Sequence, residues 1–235
     1  MTEHTHKQFD AEMEAIRSGV LSMGGMVETQ LARAIELLDS EQDNDALLDA
    51  VGADEQVINR MQVEMDQNCS QIIAKRQPAA IDLRMILTVT KIVNDLERTG
   101  DEVKKIAYRA AQTAQYQRLA QMRHFEVSRA AARARETLQL ALDAFARLDV
   151  VAAAEVIDLD EEIDAAFAAI MRQLISYMME DPRTISPALE IVFVAKSIER
   201  IGDHAKNIAE AVVQVVQGID VRHAPAEHIR AEVSE

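Results

Sequence analysis

The chain has 235 residues, of which 49% are hydrophobic, enough to bury a sizeable core as one large domain or two modest ones. Its formal net charge of −15 repels a phosphate backbone and sets nucleic acid aside as a partner. Seven glycines, four prolines, no tryptophan and 3% aromatic residues, against abundant Ala, Leu, Ile, Met, Glu, Gln and Arg, exclude a sheet protein and read as all-α.

The opening stretch MTEHTHKQFDAEME lacks the basic n-region and apolar h-region of a signal peptide, and no charge-free apolar run approaches the ~20 residues of a bilayer span. The expectation is a cytosolic chain with no membrane span. An apolar-periodic segment over 9–40 predicts the first helix, and the break SEQDND ends it. Asp43 or Asn44 caps the second helix, which runs to about residue 77 and carries the single cysteine, Cys69, on an amphipathic stretch. One cysteine makes no intramolecular disulfide, in keeping with a reducing compartment, and its expected role is inert packing. Pro78 announces a third helix from about residue 81, which continues past Ala110 because neither Gly nor Pro interrupts it.

The pattern then repeats. Helices are expected over 121–148, 149–179 and 187–217, with Asp149 in the capping place of Asp43 and EDPRTISP replacing KRQPAA as the proline-marked connection. The organisation is two tandem three-helix bundles, six long helices in all, over 9–115 and 116–218, followed by a loose tail over 219–235 that starts at the helix-stopping Gly218.

The sharpest repetition lies in the third and sixth helices. DLERTGDEVKKIA over 95–107 returns as SIERIGDHAKNIA over 197–209, at a constant offset of 102. Residues four apart share a helix face, so Glu97 projects beside Asp101 and Glu199 beside Asp203. Like charges at this spacing cost a few tenths of a kcal/mol, and two readings explain why both halves accept it. In one, Asp101 pairs with Lys104 and Asp203 with Lys206 on a solvated face; in the other, each pair is half of a hard-cation site.

Helical geometry places Val89, Ile92, Leu96, Val103 and Ala107, and in the second copy Ile191, Val194, Ile198, Ala205 and Ala209, on the core stripe. The carboxylates fall at its flank, near the bundle surface. Gly100 and Gly202 lie on the stripe, where a glycine costs ~1 kcal/mol against Ala, and so predict close helix contact. Asp160, Asp164 and Asp54 are weaker candidates to complete the sites, because acids in a first helical turn are favoured by the helix dipole anyway; Ile58 stands where Asp164 does. His204 is expected to be an exposed or capping side chain. A di-iron oxidase would need Glu-x-x-His on two helices, whereas the only such spacing here is Glu3 to His6. With no phosphate loop and no placeable nucleophile, catalytic residues are none and the chain is read as a non-enzyme.

The two motif copies, together with RQPAAIDLR, DEQVIN and LSMGGMVETQLARAI, resemble the PhoU family of phosphate-transport accessory proteins, over roughly 9–218. The resemblance implies a cytoplasmic protein of two three-helix bundles that forms homodimers or higher oligomers. It implies a negative regulator of phosphate uptake and of the phosphate-starvation regulon. Such a protein is an adaptor between the ATPase of a phosphate ABC transporter and a sensor histidine kinase. It also implies multinuclear iron or zinc at Glu97, Asp101, Glu199 and Asp203, the family's metal motif in both copies.

Overall fold

A computed structural model describes residues 2–40, 44–113 and 126–221. In chain order its helices are α1 (Thr2–Asp39), α2 (Asp45–Arg76), α3 (Ala80–Thr113), α4 (Ser128–Arg147), α5 (Val150–Glu180) and α6 (Ile185–Gln217), with a 3-10 turn at Pro182–Thr184 before the last. There is no strand among the described residues. Asp43, the boundary expected near residue 115, the expected start of the fourth helix and the tail beyond 221 lie outside them.

The helix ends follow from local chemistry. Asn44 caps α2 by accepting the Leu47 N–H at 3.1 Å. Asp149 Oδ1 accepts from Val151 and Ala152 at 3.0 and 3.1 Å, filling the role expected of it at the start of α5. Asp181 organises the turn into α6: its Oδ1 accepts the Arg183 N–H at 3.1 Å, and the Thr184 hydroxyl donates to the Asp181 carbonyl at 2.7 Å. This starts α6 at Ile185, ahead of Pro187, which fits a first turn because its missing N–H would have no intrahelical partner there. Gly218 ends α6 in the left-handed conformation, φ 81°, with its N–H returned to Gln214 at 3.0 Å.

Helices α1, α2 and α3 pack on one another, as do α4, α5 and α6. The halves meet along α3 and α6, the most extensive helix pairing among the described residues, and along α1 and α4, where Arg17 donates to the Ala146 carbonyl at 3.2 Å. Burial is shared across all six helices. One core cluster gathers Met23, Ile58, Val89, Phe145, Val156 and Val212; the other gathers Leu31, Val51, Val103, Ala134, Ile163 and Val194. Each large aliphatic side chain taken out of water contributes about 1.5–3 kcal/mol, so the two halves are fused by the same burial that holds each together. Cys69 is buried in the first cluster, and desolvation raises its thiol pKa, consistent with a packing role.

The clusters also fix the direction of the motif helices. Val89 and Ile92 of α3 share a cluster with Ile208 and Val212 of α6, whereas Val103 and Ile106 share the other with Ile191 and Val194. The two helices therefore run antiparallel, with their motif copies crossing at the centre of the molecule.

Candidate carboxylate sites on the crossed motif helices

The crossing is polar. His204 Nδ1 donates to Asp95 Oδ1 at 2.9 Å, and Asn207 adds a second bond to the same oxygen at 3.0 Å. Ser197 Oγ donates to Glu102 Oε2 at 2.8 Å, while Lys105 and Arg200 approach Glu102 Oε1 at 3.0 and 3.1 Å. The offset of 102 maps Asp95 onto Ser197 and Glu102 onto His204. These are thus equivalent contacts, with different chemistry in the two copies. His204 is 6% exposed and corrects the expectation of an exposed or capping side chain: the wheel of α6 alone does not show that α3 covers it.

On either flank of this crossing stand the two carboxylate groups. Glu97 and Asp101 are half-buried on the side of α3 facing α2. Desolvation raises the Glu97 carboxyl above its ordinary value, and the charges of Asp101 and Glu55 raise it further. Glu55 was not anticipated. The close approach of Ile58 to Gly100 sets the register of α2 on α3 and brings position 55 to the motif, where Glu55 accepts from Lys104 at 2.9 Å. Asp54, the residue matched to Asp160 by sequence, turns away to the Arg33 guanidinium.

In the second copy Glu199 is half-buried and Asp203 exposed, both facing α5. Asp160 and Asp164 complete the group. Asp203 is raised by partial desolvation and by Glu199, Asp160 and Asp164; Asp164 is raised by desolvation and by Asp160 and Glu199. Burial would lower the Lys206 ammonium, but its 2.8 Å bond to Asp160 and the surrounding acids raise it instead. The lysines therefore overturn the solvated-face pairing within α3 and α6: Lys104 and Lys206 reach across to α2 and α5, leaving Asp101 and Asp203 without those partners.

Gly100 and Gly202 provide the close contact expected of them. A Cβ at Gly100 would lie 3.3 Å from Gln30 Oε1 and Ile58 Cδ1; one at Gly202 would lie 2.9 Å from Ile163 Cδ1 and 3.2 Å from Asp160 Oδ1. That approach helps press Asp160 to 2% exposure, and its Oδ1, like Glu199 Oε2, is buried with no hydrogen-bond partner among the described residues. An unpaired buried carboxylate oxygen is costly, and a hard cation is the natural relief. The donor set thus fits a divalent metal in chemistry, although among the described residues no three His, Cys, Asp or Glu groups are positioned to hold an ion as the side chains stand.

Comparison with known proteins agrees with this architecture. The family model described as PhoU domain matches residues 20–110 and again 127–212, once on each half. A phosphate-specific transport system accessory protein PhoU homolog from Pseudomonas aeruginosa is 43% identical over 234 residues, covering 99% of this chain and 95% of that protein. The accessory protein PhoU of Escherichia coli K12 is 40% identical over 232 residues, covering 97% and 93%. The crystal structure of PhoU from Pseudomonas aeruginosa superposes with a TM-score of 0.83 at 42% identity, covering 90% of this chain and all of that one.

Proposed function

The chain belongs to the PhoU family, and from that premise we propose that it is an accessory protein of a phosphate-specific transport system, restraining phosphate uptake and the phosphate-starvation regulon while phosphate is plentiful. It does so as an adaptor between the ATPase of a phosphate ABC transporter and a sensor histidine kinase, working in the cytoplasm as a homodimer or higher oligomer. The observation that carries this reading is relatedness along nearly the whole chain to accessory proteins named for that system. Among the described residues, no helix is long and apolar enough to cross a membrane, which suits a protein that meets its transporter from outside the bilayer.

The work of such a protein is differential binding. An adaptor shifts the state of a transporter or kinase only by the difference in its affinity for the two states. The six-helix core supplies a stiff body for this, and the crossing of α3 and α6 ties the two motif copies to one another through Asp95, His204, Glu102 and Ser197. Glu97 and Asp101 with Glu55, and Glu199 and Asp203 with Asp160 and Asp164, are the residues that would hold iron or zinc, most strongly in the second group, where two oxygens stand unpaired. Such an ion, when bound, supplies positive charge that offsets the crowded carboxylates and changes what the flanks present to a partner. In the metal-free chain Lys104, Lys206 and Lys196 bond Glu55, Asp160 and Glu199, members of these same groups, without bonding Asp101 or Asp203.

The test is a clean deletion in the organism of origin, with phosphate-scavenging genes measured in phosphate-rich medium. Derepression, reversed by the wild-type chain, is expected; normal repression in the deletion refutes the proposal.

A further inference from the structure

The arginine of the first motif copy serves neither the packing at Gly100 nor the carboxylate pairs. Arg98 is exposed and, among the described residues, bonds no carboxylate; Glu97 beside it feels its charge without pairing to it. At steps of seven residues back from it, α3 carries Lys91 and Arg84. Seven residues turn a helix by ~700°, so the three cations drift only ~20° per step and share one outward stripe ~21 Å long. Leu87, 50% exposed, stands beside it.

The partners of these cations are neutral. Lys91 donates to Gln214 Oε1 at 2.8 Å and Arg84 to the Val215 carbonyl at 3.4 Å, so α6 props both side chains without neutralising either. From Leu83 to Asn94 the helix has no acid. Asp95 and Glu102 are turned into the crossing, Asp95 onto His204 and Asn207, Glu102 onto Ser197, Lys105 and Arg200. At the offset of 102 the stripe becomes Ser186, Phe193 and Arg200, and Arg200 is paired with Glu102. The second copy therefore keeps the arginine and lacks the stripe.

We propose that this stripe docks an acidic helical segment of a protein partner, carrying Glu or Asp at two-turn intervals and an apolar residue against Leu87. A helix laid along α3 repeats its contacts about every seven residues, which is the spacing of the cations. Cations with no carboxylate of their own break no internal ion pair on binding one, and such charges also steer the encounter. The stripe is narrow, and carboxylates flank the crossing on both sides, Glu97 and Asp101 toward α2, Glu199 and Asp203 toward α5. A flat anionic bilayer would press on those acids as well, whereas a helix ~10 Å across fits between them. Two-fold pairing with a second copy would set cation against cation. The proposal rests on the adaptor reading and names the face through which the adaptor holds its partner.

The probes are the purified transporter ATPase and the detergent-solubilised sensor kinase of the same organism. Their binding to the full-length protein is measured by biolayer interferometry at low and high salt, and a zero-length carbodiimide, which joins an amine to a carboxylate, maps the contact. At least one probe is expected to bind, with Lys91 coupled to one of its Glu or Asp residues. Arg84→Gln/Lys91→Gln/Arg98→Gln is expected to weaken that binding at least about tenfold and to flatten its salt dependence, since three surface ion pairs are lost together. An unchanged Tm shows that the loss is not unfolding; where Arg84→Gln disturbs its seat beside Gly218, Lys91→Gln/Arg98→Gln carries the same test with a loss of about fivefold. Affinity unmoved by these variants, or carbodiimide products only at other lysines, overturns the inference and leaves the adaptor reading in place. Binding to phosphatidylglycerol vesicles that the variant loses while its affinity for the protein probes is unchanged makes lipid the occupant and overturns it too. Failure of both probes to bind the wild type refutes the adaptor reading, and this inference with it.

Discussion

Three helix-interior glycines differ mainly in what faces them, and replacing each by alanine isolates that difference. Removing a glycine from a helix interior gains about 1 kcal/mol of propensity at any of the three. At Gly52 nothing among the described residues lies within 4 Å of the new Cβ, so the gain is kept. For a chain of this size that raises Tm by about 2–4 °C. At Gly100 the Cβ sits 3.3 Å from the ends of Gln30 and Ile58, which must give by a few tenths of an ångström, and the two effects nearly cancel. At Gly202 it sits 2.9 Å from Ile163 Cδ1 and 3.2 Å from Asp160 Oδ1, and neither neighbour retreats freely: Ile163 is 1% exposed and Asp160 is held by Lys206. Overpacking of this kind costs about 1–3 kcal/mol, leaving a net loss of about 1 kcal/mol and a fall in Tm of about 2–4 °C. Thermal denaturation followed by circular dichroism in chelator measures all three. A Gly202→Ala protein as stabilised as Gly52→Ala would show that the close approach of α5 to α6 is not what that glycine serves.

Further predictions concern charge and capping. Desolvation and then neighbouring acids raise Glu97, Asp164 and Asp203, so the folded state binds their protons more tightly than the unfolded chain does. Their cost is therefore present at neutral pH and disappears as pH falls through the raised values. In chelator, the Tm advantage of Glu97→Gln/Asp164→Asn/Asp203→Asn over the wild type should be largest near pH 7 and shrink toward pH 5; an advantage that grows toward pH 5 contradicts the assignment. Glu102 is 3% exposed and bonded to Ser197, so a double-mutant cycle of Glu102→Ala and Ser197→Ala by denaturant unfolding should give a coupling of at least about 0.5 kcal/mol, and additive losses would exclude the contact. Asp149→Ala removes the acceptor for two free N–H groups of α5 and should cost about 1 kcal/mol by the same measurement, with no loss if the cap is idle.

The helices were legible because their determinants are local. The stripe of Val89, Ile92, Leu96 and Val103 and the caps at Asn44, Asp149 and Gly218 each depend on a few neighbouring residues. The doubled motif likewise put Glu97 beside Asp101 and Glu199 beside Asp203, and the repeated glycine gave the close packing. What escaped depends on helix register. Glu55 reaches Glu97 only because Ile58 seats against Gly100, and no property of DEQVIN alone announces it. His204 looked peripheral for the same reason, since the antiparallel crossing that brings Asp95 over it is a tertiary fact. The lysines at 104 and 206 were within reach of an acid one helical turn back, but neighbouring helices supplied better-placed partners.

The central claim is that the doubled motif acts through binding. It is tested most directly by capture from a phosphate-replete lysate using the purified wild type and the Glu97/Asp101/Glu199/Asp203→Ala variant, with metal content measured on both. The account predicts that the wild type retains the transporter ATPase or the sensor kinase together with bound metal, and that the variant loses both. Equal retention of the partner by a metal-free variant would contradict it and leave the motif a packing device around Gly100 and Gly202.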